Sequence, residues 1–381
     1  MVFTQDSRYY RTKNITMKKT LLCVLLLAIF VVALLLVRHN LKAEPNIQIL
    51  RQMYLQPPES WEKAKIDEGV EYREITALPS TPPFPKSNPY SKEKENLGRR
   101  LFNDPKLSKS NQIACASCHD IEQGFSNARS VAFGHDRALG NRNAPSVVMA
   151  AFGVEKFWDG RAKDLESQSL MPIENPIEMA DELKQVVIKL RADKSYKEEF
   201  KMAFGDETIT QERIAQALAT YERSLMPKNS RFDRFLRGNA KALNDEEILG
   251  LHIFRTKAKC MNCHNGAEFS DHKYHNLGLT FYGRKKFEDF GRYNITLDSS
   301  DMGKFKTPSL RDVRKTAPYM HNGLFPTLSG VLRAYNVGMF HPKPTQAQES
   351  DPLFPQTSPL LHELNLTQKE LEALEAFLKT L

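Results

Sequence analysis

The chain has little cysteine: five residues in 381. Cys23 lies inside an apolar run, and the other four belong to two copies of one short motif, so none is left over for a structural disulfide. Basic charge is also missing from the body of the protein. The net charge is +8, but residues 1–43 carry Arg8, Arg11, Lys13, Lys18, Lys19, Arg38 and Lys42 against Asp6 alone, which leaves only +2 for the rest. That balance excludes the basic stripe of a nucleic-acid binder. Alternating strand patterns are scarce, which argues against a β architecture.

Charge is absent from Leu21 to Val37, a run of 17 apolar residues at the short end of a bilayer-spanning helix. Five basic residues precede it and two follow, so the positive-inside rule places the body on the non-cytoplasmic side. Met17 is an alternative start, because "MKKTLLC" already reads as an export signal. A cleaved signal peptide is the competing reading; the run is long for one, and "RHNLKAEP" offers no clear A-x-A site. An uncleaved N-terminal transmembrane helix (residues 1–43 with its basic flank) is the favoured expectation. Residues 44–89 are proline-dense and read as an extended linker or wrapping arm.

Beyond residue 90 the periodicity is helical. Ile209, Ile214, Leu218, Tyr221 and Leu225 form one stripe. "DELKQVVIKL" opens on a cap candidate, Asp181. Near the C-terminus Thr367 and Glu370 stand at capping-box spacing before an apolar face of Leu371, Leu374, Phe377, Leu378 and Leu381. The expected fold is mostly α with long loops.

The repeated motif is "CASCH", Cys115 to His119, and "CMNCH", Cys260 to His264, 145 residues apart. C-x-x-C-H is the attachment signature of c-type haem. Two thiols add across the two vinyl groups of one haem, and the adjacent histidine reaches the iron. Four cysteines in two pairs could also make a zinc site, or a redox dithiol, but neither gives a reason for a histidine directly after each pair. Cys115, Cys118, Cys260 and Cys263 are therefore expected to hold two haems, with His119 and His264 as iron ligands. Covalent haem assembly demands export, in agreement with the N-terminus. His135, 16 residues after His119, is one candidate distal ligand among several; for the others, such as His252 and His272, a packing or surface role is the commoner one.

"LGRRLFNDPKLSKSNQIACASCHD", "GNRNAP", "FWDGRA", "PIEM", "CMNCHNG", "KTPSLRDV" and "TAPYMHNG" occur in this order. The series resembles the bacterial dihaem cytochrome c peroxidase family, including its MauG-like members, from about Tyr90 to the C-terminus. The resemblance implies two cytochrome-c-like haem domains, here residues 90–227 with the peroxidatic haem and 228–345 with the electron-transfer haem, followed by a 346–381 extension. It implies His135 as a displaceable distal ligand, Glu178 as the catalytic acid–base group, Gln168 beside it, and Trp158 between the haems. It also implies a calcium ion held by Asn143 and the carbonyls of Thr316 and Pro318, oxygen donors that suit calcium. Met320 and His321 lie in the same motif without an assigned role.

In the peroxidases the second haem's methionine lies 14 residues after the histidine of "APYxH"; counted from His321, that position is Tyr335, as in the MauG-like members. Met339 is the alternative, four residues on, and on a helix both would face the same way. The expected activity is reduction of hydrogen peroxide to water in the periplasm, with a cytochrome c, a cupredoxin or a quinol as donor. The alternatives are a MauG-like oxidase acting on a protein partner and a non-catalytic electron carrier. A homodimer is compatible with the family, and no nucleic acid is expected.

Overall fold

The computed structural model describes residues 26–27, 29–31, 45–153, 155–227 and 229–381. They fall in two units, Met1–Ile49 and Leu50–Leu381. In the first, Leu26, Leu27, Ile29, Phe30 and Val31 are helical; the rest of the expected membrane segment lies outside the described residues. Among the described residues no helix is long and apolar enough to cross a membrane.

The second unit is mostly helical. After α1 (Ile47–Tyr54), a first group comprises α2 (Lys92–Asn103), α3 (Leu165–Glu174), α4 (Leu183–Arg191), α5 (Lys194–Phe204) and α6 (Gln211–Ser224). A second group comprises α7 (Arg231–Leu236), α8 (Asp245–Arg255), α9 (Leu328–Asn336) and α10 (Gln368–Leu378). The described strands are β1 (Tyr274–His275) and β2 (Phe305–Lys306), paired antiparallel with Tyr274 opposite Lys306.

Each group is built on one tight helix pair. Ser91 caps α2 by accepting from the Lys94 amide at 3.2 Å, and Leu97, Leu101 and Phe102 are buried against Ile214, Ala217 and Leu218 of α6. The predicted α6 stripe is buried, but Ile209 precedes the helix and Leu225 is its C-cap. In the second group α10 packs on α8. Thr367 and Glu370 form the expected capping box, each side chain accepting from the other's amide. Phe377 reaches Phe254 and Phe232 edge-on at 5.4 and 5.3 Å. The C-terminal stretch thus supplies the partner helix of α8. α4 departs from expectation. It starts at Leu183 with Glu182 as N-cap and no side-chain cap bond. Asp181 pairs with Lys189 at 2.6 Å, because its nearly buried carboxylate needs a counter-charge more than the helix needs a cap.

Glycine makes both helix pairs possible. A Cβ on Gly98 would stand 2.0 Å from the Ala217 carbonyl oxygen, and one on Gly250 would stand 2.0 Å from that of Ala373. The obstructing atoms are backbone, so they cannot rotate away. Gly250→Ala is expected to cost at least about 1–3 kcal/mol of overpacking, read as a lower denaturant midpoint. An unchanged midpoint would show that α8 and α10 can separate without loss.

Residues 57–78 form a packed arm. Apart from the 3-10 turn Pro58–Ser60 it forms no helix or ladder, so its backbone finds partners on the second group. The Lys65 amide donates to the Arg255 carbonyl at 2.8 Å, the Gly266 amide donates to the Arg73 carbonyl at 3.0 Å, and Trp61, Ile75 and Leu78 are buried.

Candidate active site

Both C-x-x-C-H motifs fold alike. Each starts on a single 3-10 turn, Cys115–Ser117 and Cys260–Asn262, and the histidine amide donates back to the first cysteine carbonyl, at 3.0 and 2.8 Å. His119 Nδ1 lies 3.1 Å from the Phe125 carbonyl, and His264 Nδ1 lies 2.9 Å from that of Phe269. A carbonyl only accepts, so Nδ1 carries the hydrogen and Nε2 keeps its lone pair for a metal. Burial lowers the pKa of both imidazoles, which favours the neutral ligand form. Phe125 and Phe269 both take left-handed φ, 56° and 52°, a conformation non-glycine residues adopt only under constraint. All four cysteines are free thiols, and burial pushes their pKa values up, Cys118 to about 11 and Cys260 to about 12. This donor set fits one covalently attached haem at each motif.

Around the first motif the structure brings two predicted residues, His135 and Glu178, to one place. The His135 amide donates to the Glu178 carbonyl at 2.7 Å. Gly134 permits this approach, since a Cβ there would lie 2.0 Å from the Ile177 carbonyl oxygen. Glu178 is close enough to Cys115 and Cys118 to raise both thiol pKa values. Burial raises the Glu178 carboxyl pKa, while the Arg161 guanidinium and the Asn175 amide, which donates at 2.7 Å, pull the other way. His135 Nδ1 and Gln168 Oε1 are buried without a hydrogen-bond partner. Buried polar atoms are rarely left so, and each is free to take a partner that the protein itself does not supply.

Trp158 and Asn143 meet directly: the indole N–H donates to the Asn143 carbonyl at 2.9 Å. The Trp158 carbonyl accepts from the Lys306 amide of β2 at 2.8 Å, which ties it to the half of the chain that carries the second motif. The Asn143 amide donates to the His321 carbonyl at 2.7 Å, drawing in the "TAPYMH" segment. Asn143 Nδ2 is used on the Arg129 carbonyl at 3.0 Å, so Oδ1 is the atom left to accept or ligate. Thr316 lies against the Gly124 turn, where a Cβ would meet its methyl at 3.4 Å. His321 is buried and stacked on Phe305 at 3.5 Å, and burial lowers its pKa to about 3.

At the second motif α9 ends at Asn336. The helix that would give Tyr335 and Met339 a shared face therefore does not extend to Met339. Gly338 (φ 82°) and Met339 (φ 64°) turn left-handed, and the Met339 amide donates to the Ala334 carbonyl at 2.8 Å as the chain leaves the helix. Tyr335 stays on the helix. Burial raises its phenol pKa far above normal, with smaller contributions from the nearby Cys263 and Cys260 sulfurs.

Sequence reasoning missed Arg161, although it stands inside "FWDGRA". It stacks on Phe157 at 3.5 Å and pairs with Asp159 at 3.0 Å. It also missed Glu222 of α6, a buried carboxyl beside Cys115 whose pKa burial raises to about 8. A charged residue interrupting a buried stripe was the available signal.

Residues 92–241 match the family model described as di-haem cytochrome c peroxidase. The chain is 37% identical over 246 residues to cytochrome c551 peroxidase of Nitrosomonas europaea, covering 65% of this chain and 73% of that one. It is 37% identical over 306 residues to the methylamine utilization protein MauG of Methylorubrum extorquens, covering 80% and 82%. The chain belongs to the di-haem cytochrome c peroxidase family. A solved MauG-like protein associated with microbial copper homeostasis superposes with a TM-score of 0.70 at 33% identity, covering 80% of this chain and 94% of that one. The family membership makes this chain a di-haem peroxidase with haem c as cofactor.

Proposed function

We propose that the chain reduces hydrogen peroxide to water at the first haem, with electrons that a small redox protein delivers through the second. The observation that supports this most is the 2.7 Å link from the His135 amide to the Glu178 carbonyl, which holds a displaceable ligand and an acid–base group over one attachment motif. The haem supplies the iron that binds peroxide and exchanges electrons. His119 Nε2 would hold that iron, with His135 as its displaceable second ligand. Asp136 and Arg137 follow His135 with φ of 50° and 61°, and such strain, about 1–3 kcal/mol per residue, suits a loop that must move aside.

Glu178 takes the proton from the near oxygen of peroxide and returns it to the leaving oxygen. Burial favours its protonated form and Arg161 and Asn175 favour its ionised form, so both are within reach. Gln168 Oε1 accepts from peroxide and orients it. Trp158 bridges the two halves as the electron path. Asn143 Oδ1 and the carbonyls of Thr316 and Pro318 would hold calcium, as oxygen donors suited to it. The body works in the periplasm, tethered by its N-terminal segment.

Turnover with peroxide and reduced cytochrome c tests this. Two cytochromes are expected to be oxidised per peroxide. Haem spectra that respond to peroxide while no small redox protein is oxidised would overturn it. A second reading, oxidation of a protein partner, is favoured by Tyr335 in place of methionine. It predicts that outcome together with a covalently modified partner.

A further inference from the structure

The packed arm brings an aromatic cluster onto α8 that the family model, spanning 92–241, does not reach. Tyr54 is 2% exposed, and Trp61 meets its ring edge-on at 5.0 Å. Its hydroxyl lies 3.0 Å from His252 Nδ1 and 3.3 Å from Arg255 Nη1. Arg255 can only donate, so the phenol's own hydrogen goes to His252 Nδ1, the lone-pair nitrogen of the neutral ring. Burial and Arg255 hold that imidazole neutral. The Arg255 charge is matched by Glu74, which also accepts from Tyr72.

A buried tyrosine needs a hydrogen-bond partner, and a carbonyl would satisfy it. An imidazole differs, because it is a base able to keep the proton. Removing an electron from a buried phenol without such a base would leave an uncompensated cation, which burial penalises heavily. The arm packed on this cluster also reaches the second haem's attachment site. Asp67 of the arm accepts from Asn262, inside "CMNCH", at 2.8 Å. Tyr72 shares the walls of a cavity of about 390 Å³ with Asn265, the neighbour of His264.

We infer that Tyr54 with His252 is a redox-active tyrosine site that takes up an oxidising equivalent from the second haem; this rests on the peroxidase reading, whose reaction supplies the equivalent. One electron passes from Tyr54 to the oxidised haem site. The phenolic O–H bond breaks and the proton forms a bond to His252 Nδ1, leaving a neutral tyrosyl radical and an imidazolium. An electron from the donor reverses both transfers. The oxidising equivalent is thereby held away from the peroxide site until the donor arrives.

The test is electron paramagnetic resonance of the holoprotein, freeze-quenched after peroxide without donor, with a parallel sample oxidised photochemically by ruthenium tris-bipyridine and no peroxide. A radical signal that narrows when tyrosine is ring-deuterated is expected. It should be lost in Tyr54→Phe, which keeps the ring against Trp61, and in His252→Gln, which keeps an acceptor but no base. Trp61→Phe should retain it. A signal with this pattern only under photochemical oxidation supports the tyrosine site and tells against the peroxide reaction. No tyrosyl signal under either oxidant, or one unchanged in Tyr54→Phe or His252→Gln, overturns the inference.

Discussion

Glu178→Gln is expected to slow the reaction of peroxide with the first haem by about 10²–10⁴-fold, the range for a positioned acid–base group. Glutamine keeps the shape and can still meet Asn175, so the loss is one of proton transfer. The pH profile gives an independent reading. Glu178 must begin as the carboxylate, and burial raises its pKa. The wild-type rate should therefore fall as pH drops through a value above the ordinary glutamate range of about 4.3, and recover as pH rises through it. Glu178→Gln should lose that dependence. Stopped-flow absorbance of the haem after peroxide mixing measures both. A variant with wild-type rate and profile would move the acid–base role elsewhere, with Glu222, the buried carboxyl beside Cys115, as the next candidate.

Tyr335→Met is expected to raise the midpoint potential of the second haem by a sizeable part of the roughly 0.8 V that axial ligands span. The direction follows from charge. Burial holds the Tyr335 phenol protonated far above its usual range, so only the positive charge of ferric iron can draw out a phenolate there. A phenolate favours the ferric state and lowers the potential, whereas a neutral thioether raises it. Tyr335→Phe should change the ferric spectrum of the second haem, and Met339→Leu should not. The reverse pattern would assign the ligand to Met339. A redox titration followed spectroscopically at both haems separates these outcomes.

The attachment motifs, the motif series and the capping box of α10 were legible because their chemistry is local. Two thiols and a histidine must sit within five residues to reach one haem, and a capping box joins residues three apart. The mostly helical class followed from periodicity for the same reason.

Other features depended on atoms distant in sequence or on the sign of φ. Gly338, directly after the C-cap Val337, is the usual mark of a helix end, but residues 328–339 do not announce that Met339 continues the left-handed turn, since its residue type usually avoids that conformation. That turn decides that Tyr335 and Met339 do not share a helix face. Gly98 and Gly250 read as weak points of helices until Ala217 and Ala373 are found against them. The carbonyls that set the tautomers of His119 and His264 come from phenylalanines in strained conformations. Residues 57–78 could have been a loose spacer; Arg255, Asn262 and Gly266 make them part of the second group. Sequence alone thus determined where the two haem attachment motifs lie, since covalent attachment dictates short spacings. Only the tertiary structure decided which base faces Tyr54, since that rests on packing between segments about 200 residues apart, and which carbonyl orients each histidine and where Met339 stands, since these rest on left-handed φ at Phe125, Phe269 and Met339.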